Sequence, residues 1–286
     1  MGKKTLSHAV LLSSYIIDTD TSHRVGAYYL DLIKSHFADC KIYIGINTGS
    51  SDIWRKMIKS SGLDVNICEV KSGLTVNSDV SGFQAILQNI KEFGSHHDYY
   101  WFGHTKGSTH ETYEAAEALR WVIDRDFWSR RSEIEAHCDP LQHGTFPALP
   151  MPCGSSWSED GASAYLRRIF PATCRPIGYV TTYTFFGMTG PALRTFLESV
   201  ASTFFESNLV NEGGVSRYFF EGGFAWVADM GGFEPYLLAK EVTTQKPLDL
   251  TGPCHPNDFI INQLKVEKMI QKWKEDPSGY EFTAWT

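Results

Sequence analysis

Over its first hundred residues the chain alternates short apolar runs with longer stretches that are apolar on one side only. Residues 9–17, Ala-Val-Leu-Leu-Ser-Ser-Tyr-Ile-Ile, have the length and apolar character of a buried strand. Residues 25–37 then place Tyr28, Tyr29, Leu32, Ile33 and Phe37 at helical spacing, and residues 41–46 return to a strand. Asp52 is positioned to cap a second helix that Gly62 ends, and residues 65–70 read as a third strand. A third helix over 81–93 delivers the chain to a fourth strand at 99–102. This order predicts an α/β fold whose mostly parallel sheet is flanked by helices, since right-handed crossovers leave few alternatives.

The fourth strand breaks off abruptly. Asp98-Tyr-Tyr-Trp-Phe-Gly-His-Thr-Lys-Gly107 passes from an aromatic run into His104, Thr105, Lys106 and Gly107. In open α/β sheets the carboxyl ends of the strands face the ligand crevice. Ser108 and Glu111 match a capping box, so a helix is expected to begin there and to run over 111–136. A lysine, a histidine and a helix N-terminus at one point favour an anion, most simply a phosphate or diphosphate. The bland alternative is a surface loop with incidental charges.

Beyond residue 136 the pattern loosens. A Pro- and Gly-rich passage over 140–154 reads as a linker or as a loop over a site. Residues 179–187 are β-rich, Pro191 opens a helix through Val200, a further helix is expected over 217–229, and 258–274 is amphipathic. No internal repeat is visible. The whole is expected to be one domain over 1–286, with residues 1–110 as one half and 111–286 as the other.

Composition narrows the partners. The formal net charge is −7, with no basic tail, which argues against nonspecific binding to nucleic acid or to an anionic membrane. Aromatic residues make up 14% of the chain, suiting either stacking surfaces or a dense core. The six cysteines lack C-x-x-C spacing, which points to free thiols in a reducing compartment rather than to zinc or a disulfide scaffold. No run approaches a membrane span, and Leu6 stands where myristoylation needs Ser or Thr, so a cytoplasmic location is expected.

The element order, with H-T-K-G after an aromatic fourth strand, resembles glycosyltransferases of the GT-A fold. The string H-T-K-G is similar to that of bacterial and viral glycosyltransferase-like proteins of the rhamnan-synthesis type, where it stands in the position of the usual metal-binding D-x-D. The resemblance implies an enzyme that moves a sugar from a UDP-, GDP- or TDP-sugar to a hydroxyl of a glycan, protein or small molecule. It implies residues 1–110 as the nucleotide-sugar-binding half and 111–286 as the acceptor-binding half. Lys106 in place of carboxylates favours transfer without a cofactor, Mn²⁺ or Mg²⁺ remaining the alternative.

The same resemblance distributes roles. The diphosphate falls to His104, Thr105, Lys106 and Gly107. Strand ends hold the nucleoside, which brings in Ser14, Tyr15, Asn47 and Asp52, with Glu69 facing base or ribose and Asp79 ribose or sugar. The region Asn47-Thr-Gly-Ser-Ser-Asp52 resembles V-D-D-G-S-x-D, with Asn47 displacing an acidic base-reading residue. Structural alternatives stand beside these roles: Tyr15 as core, and Asp52 and Asp79 as helix caps. On the acceptor side, Glu221 is the favoured base and Glu212 the second candidate, with an ion pair to Arg217 as the structural alternative. Phe186 and Gly187 resemble a floor for the sugars, and Trp157 is a candidate stacking residue, though each fits a core equally well. His255, between two prolines, is a weak candidate for a metal or phosphate contact. The rival functions are a nucleotidyltransferase, whose Gly-rich basic loop is missing from residues 13–22, and a non-catalytic nucleotide- or sugar-binding module.

Overall fold

The computed structural model describes residues 6–70, 79–114, 120, 127–147, 150–152, 179–181, 185–200, 203–206, 232–234 and 236. Strand β1 (His8–Ser14) is buried at all seven positions, as a central strand covered on both faces must be. Helix α1 (Asp20–Phe37) follows, capped by Thr19, whose hydroxyl accepts from the Ser22 amide. Strand β2 (Lys41–Ile46), helix α2 (Asp52–Ser60), strand β3 (Val65–Glu69), helix α3 (Asp79–Phe93) and strand β4 (Tyr99–His104) complete the alternation. Ser51, rather than Asp52, caps α2: its side chain accepts from the Ile53 amide, while Asp52 occupies the first helical position.

Strands β3, β2, β1 and β4 lie side by side in that order and all pair in parallel. Because β1 is bonded to β2 on one edge and β4 on the other, the β3-to-β4 connection must cross on the opposite face. The core divides accordingly. Val10 and Leu12 pack with α1 and with Trp54 and Ile58 of α2, while Ala9 and Leu11 pack with Phe83, Ile86 and Leu87 of α3. The alternation along β1 is the two-residue period of a strand serving two layers.

Later elements extend this sheet. A 3-10 turn (Trp128–Arg130) leads into helix α4 (Arg131–His137), followed by strands β5 (Thr145–Pro147), β6 (Pro150–Pro152), β7 (Tyr179–Thr181) and β8 (Phe186–Thr189), then helices α5 (Gly190–Ser199) and α6 (Thr203–Glu206). Strand β8 adds antiparallel to β4 and β5 antiparallel to β8, giving six strands in the order β3-β2-β1-β4-β8-β5, while β6 and β7 form a separate antiparallel pair. The chain is thus an α/β protein with a mostly parallel sheet flanked by helices.

Two expectations are corrected. No helix begins at Ser108: residues 106–113 form turns and bends, with Gly107 at φ +89° reversing the chain. Side-chain contacts to α1 replace the intrahelical bonds, through Thr21 donating to the Glu111 carbonyl at 3.3 Å and Arg24 lying over the Tyr113 ring at 4.1 Å. The helix expected over 111–136 is not continuous in its described parts: residues 111–113 are bends and the 3-10 turn interrupts it before short α4, although Arg120 between them is helical. The helices expected over 217–229 and 258–274 lie outside the described residues.

Much of the aromatic content is core. Trp101 of β4 sits about 5 Å, centroid to centroid, from each of Phe37, Phe127 and Phe146 (5.1, 5.1 and 5.0 Å). Cys40, Cys68 and Cys138 are buried free thiols, and burial pushes them up to about 12, 11 and 12 respectively, well outside the reactive range.

Close backbone approach seats α3 on the sheet. A β-carbon at Gly45 would come within 2.2 Å of the Gly82 carbonyl, and one at Gly82 within 2.2 Å of the Ser13 hydroxyl. Gly45→Ala must push α3 off β2, and a loss of about 1–3 kcal/mol by chemical denaturation is expected. An alanine variant as stable as the wild type would mean that the glycine contact is incidental.

At the opposite, amino edge, the Trp101 indole donates to His8 Nδ1 at 3.0 Å, which leaves His8 Nε2 as the protonated nitrogen, 2.8 Å from the Glu135 carboxylate. Arg131 holds the same region to α1, forking onto both Asp39 oxygens at 2.6 and 2.9 Å and reaching Glu135 at 3.1 Å. Burial, with the Arg131 charge next, lowers the His8 pKa to about 4 in spite of Glu135. The unfolded chain therefore binds a proton at this position that the folded protein refuses. The stability that this site contributes is expected to be full above about pH 6.5, to fall as pH drops through the interval, and to level off below about 4, a loss of about 3 kcal/mol. His8→Gln should flatten that part of the pH–stability curve; parallel curves for the two proteins would contradict this origin.

Candidate functional site

The crevice is built where β1, β2 and β4 run out together. Beyond the strands the ladder continues for one rung: the Asn47 amide donates to the Ser14 carbonyl at 3.0 Å and the Thr105 amide to the Ser13 carbonyl at 3.1 Å. Thr105 closes the join, its hydroxyl accepting from the Tyr15 amide at 3.1 Å. This is the switch point of the sheet, where the connections leave toward opposite faces and the strands present their carboxyl ends. Helices α1, α2 and α3 each follow a parallel strand, so their N-termini open toward this edge. The Gly82 contact with Ser13 fixes the first turn of α3 directly over it.

Tyr15 is half-buried, and its ring edge lies beside Gly49, within 3.7 Å of where a β-carbon would stand. Gly49 itself adopts φ +87°, the left-handed turn that brings the chain after β2 back against Tyr15. Asn47 is buried at the base of that turn, its carbonyl accepting from the Ser50 amide at 3.1 Å. Tyr15, Asn47 and Thr105 therefore come together.

His104 and Thr105 are buried, whereas Lys106 is half-buried. The His104 ring packs against Phe185 with centroids 5.0 Å apart. Gly103 makes this packing possible, since a β-carbon there would approach Trp128 to 2.7 Å and Phe185 to 3.0 Å. The Lys106 amide donates to the His104 carbonyl at 2.7 Å and to the Tyr29 hydroxyl at 3.3 Å, tying the turn to α1.

Other candidates take part in packing or ion pairs. Ser14 is fully buried on the α2 side, its hydroxyl accepting from the Trp54 indole and donating to the Gly45 carbonyl, both at 2.9 Å. Its side chain thus braces α2 rather than lining the crevice. Asp52 and Glu69 meet at Arg55, which forks onto both Glu69 oxygens at 2.9 and 2.8 Å and reaches Asp52 at 3.4 Å. Phe186 and Gly187 are core: Phe186 stacks on Phe102 at 4.4 Å, and Phe146 fills the space a Gly187 side chain would need. Asp79 opens α3. Trp157, Glu212, Arg217, Glu221 and His255 lie outside the described residues.

Among the described residues no three His, Cys, Asp or Glu side chains gather as a metal site. Asp98, the nearest carboxylate in sequence before H-T-K-G, accepts from the Ser7 amide and hydroxyl at 2.8 and 3.0 Å. That contact lies six residues back along β4, about 20 Å from the crevice.

The sequence reading missed the residues that hold the loop from behind. Arg120 is 1% exposed, donates to the Lys106 carbonyl at 3.4 Å and to the Tyr113 carbonyl, and lies 4.0 Å from the Tyr113 ring centroid. Tyr28 donates to the Arg120 carbonyl at 3.1 Å. Only the aromatic positions of α1 were visible in the sequence, not their hydroxyl partners 77 and 92 residues away.

Comparison with known proteins adds three likenesses in layout. A mannosyltransferase of S. cerevisiae in complex with GDP shares 10% identity at a TM-score of 0.40, over 96% of this chain and 83% of that one. The galactosyltransferase LgtC, bound to donor and acceptor sugar analogues, shares 10% identity at 0.39, over 94% and 99%. Glucosyl-3-phosphoglycerate synthase of Mycobacterium tuberculosis, bound to Mn²⁺, UDP and glucosyl-3-phosphoglycerate, shares 11% identity at 0.34, over 98% and 87%. No protein-family model and no curated protein matches the sequence. No helix among the described residues is long and apolar enough to cross a membrane.

Proposed function

We propose that this chain is a glycosyltransferase that moves a sugar from a nucleoside-diphosphate donor to an acceptor hydroxyl. The observation that carries the reading is the convergence of Tyr15, Asn47, Thr105 and Lys106 at the switch point of the sheet. Tyr15 offers a ring face to a base, Asn47 marks the nucleoside side, and Lys106 supplies positive charge to the diphosphate. His104 contributes by packing, holding the turn against Phe185. Asp52 and Glu69 form the rim through Arg55, and Asp79 begins the helix beside the donor.

In the transfer, the bond from the sugar's anomeric carbon to the diphosphate oxygen breaks as the bond to the acceptor oxygen forms. The electron pair leaves with the nucleoside diphosphate, where a fixed cation stabilises the developing charge. The acceptor proton passes to a carboxylate, for which Glu221 is the proposed base and Glu212 the alternative. Trp157 and Arg217 are proposed for the acceptor side. Transfer without a metal is part of the proposal, with Lys106 standing where a carboxylate pair would recruit one.

The test is a thermal-shift panel of UDP, GDP and TDP and their sugars, with EDTA or Mn²⁺, followed by assay of released nucleoside diphosphate. Binding and turnover in EDTA are expected. Binding without turnover would favour a binding module, and turnover restored only by Mn²⁺ would overturn the metal-free route. Lys106→Ala should weaken nucleoside diphosphate binding by about 1.5–3 kcal/mol, the range for a hydrogen bond to a charged group. Unchanged affinity would move the diphosphate elsewhere.

Glu221→Gln should keep donor affinity while transfer falls about 10²-fold or more. Glu212→Gln is the companion variant: a dead Glu212 variant beside an active Glu221 variant would exchange the two roles, and two active variants would remove the base from this segment.

A further inference from the structure

Arg120 presents a problem that its neighbours do not solve. Its guanidinium is 1% exposed, yet among the described residues no carboxylate lies within ion-pair distance. Among the described residues its hydrogen bonds go to two backbone carbonyls, of Lys106 and Tyr113, and its Nε has no partner. Aromatic faces cover the rest, Tyr113 at 4.0 Å and Tyr28 at 5.8 Å. Glu114, the described glutamate next before it in sequence, reaches Arg24 at 3.6 Å instead. Carbonyl dipoles and ring quadrupoles soften the cost of burying a cation but do not cancel its charge.

The position of this charge suggests its use. Arg120 binds the carbonyl of Lys106 itself, so it lies directly behind the turn that ends β4, and its second carbonyl belongs to the far end of the same loop. We propose that Arg120 is a positioning residue for a diphosphate group. It pins the loop between Lys106 and Tyr113 from within, and its charge, which no carboxylate among the described residues meets, is balanced by an anion on the outer side of that loop. In so poorly screened an interior the charge acts through the loop without touching the ligand. This inference rests on the donor reading above and adds to it a second cation, reached through the backbone of the first.

A brace and an unbalanced charge respond oppositely to substitution, which makes the two separable. Arg120→Met keeps the length and removes the charge; Arg120→Lys keeps the charge and loses the fork. The probes are inorganic pyrophosphate, UDP and GDP, with uridine and guanosine as uncharged controls, all on the full chain. Removing an unpaired buried charge should leave the free methionine variant at least as heat-stable as the free lysine variant. In binding the order should reverse: Arg120→Met weakens pyrophosphate and both nucleoside diphosphates about tenfold or more, while Arg120→Lys stays closer to wild type and the uncharged nucleosides are unaffected. A methionine variant that is the less stable of the two, and that loses nucleoside and diphosphate affinity together, would show a structural brace only and overturn the proposal. Unchanged diphosphate affinity in Arg120→Met would also overturn it while leaving the donor reading intact. A wild-type protein that binds neither pyrophosphate nor any nucleoside diphosphate would remove both. Should Arg120→Met fail to fold, Lys106→Ala decides the matter. With Arg120 in place it should retain weakened, salt-sensitive pyrophosphate binding, and complete loss would mean that no second cation contributes.

Discussion

Because β1 bonds β2 along one edge and β4 along the other, all in parallel, the three strands exhaust their ladders at the same end. The chain must then leave β1 and β2 on one face and return from β3 on the other, since parallel neighbours cannot be joined by a tight turn. From this follow the two cores, the crevice and the placement of three helix N-termini at one edge. It also explains the burial of every β1 position, and why that strand carries polar side chains only at its ends, His8 at the amino end and Ser13 and Ser14 at the carboxyl end. There Ser13 meets α3 through Gly82, and Ser14 meets α2 through Trp54. A sheet of this kind has no spare surface beside its switch point, so the side chains that reach the crevice are those just past the ends of the strands.

What stands just past those ends was visible in the sequence to different degrees. Strand β2 agrees at both boundaries, and β1, β3 and β4 are found with shifts of a few residues, because a buried parallel strand is a continuous apolar run that local pattern registers. The helix proposed at Ser108 fails for a reason local pattern cannot carry. The segment is held to α1 by Thr21, Arg24 and Tyr29, all between about 75 and 90 residues away in sequence, and those contacts outweigh a favourable cap. Ser51 takes the capping role from its neighbour Asp52 by a shift of one residue, the scale at which helix ends are ordinarily blurred.

The candidate site divides along the same line. Tyr15, Asn47 and Thr105 could be found from the sequence because strand ends are local features. Phe186 and Gly187 could not be told from core: an aromatic beside a glycine suits a sugar floor and a packed antiparallel strand equally, and the choice depends on Phe102 and Phe146. Arg55 was hidden because only its spacing to Asp52 is local, while Glu69 comes from the next strand. Arg120 was hidden more deeply. In sequence it is one charged residue in an Ala-, Leu-, Arg- and Glu-rich stretch that reads as a long helix.

Two arginine clusters, one half-exposed and one buried, show how differently this protein treats the same residue type. Arg131, at the amino edge, has Asp39 and Glu135 as partners, and its guanidinium holds the Asp39 carboxyl well below the usual carboxylate range. That cluster is balanced, and it fastens α4 to the end of α1. Arg120, behind the crevice, has carbonyls and rings but no carboxylate among the described residues. In a chain with seven more acidic than basic side chains, nearby carboxylates are not in short supply. A cation that meets no carboxylate among the described residues is one that a bound anion can balance, and the proposed diphosphate on the crevice side of the Lys106 turn would do so without disturbing the core.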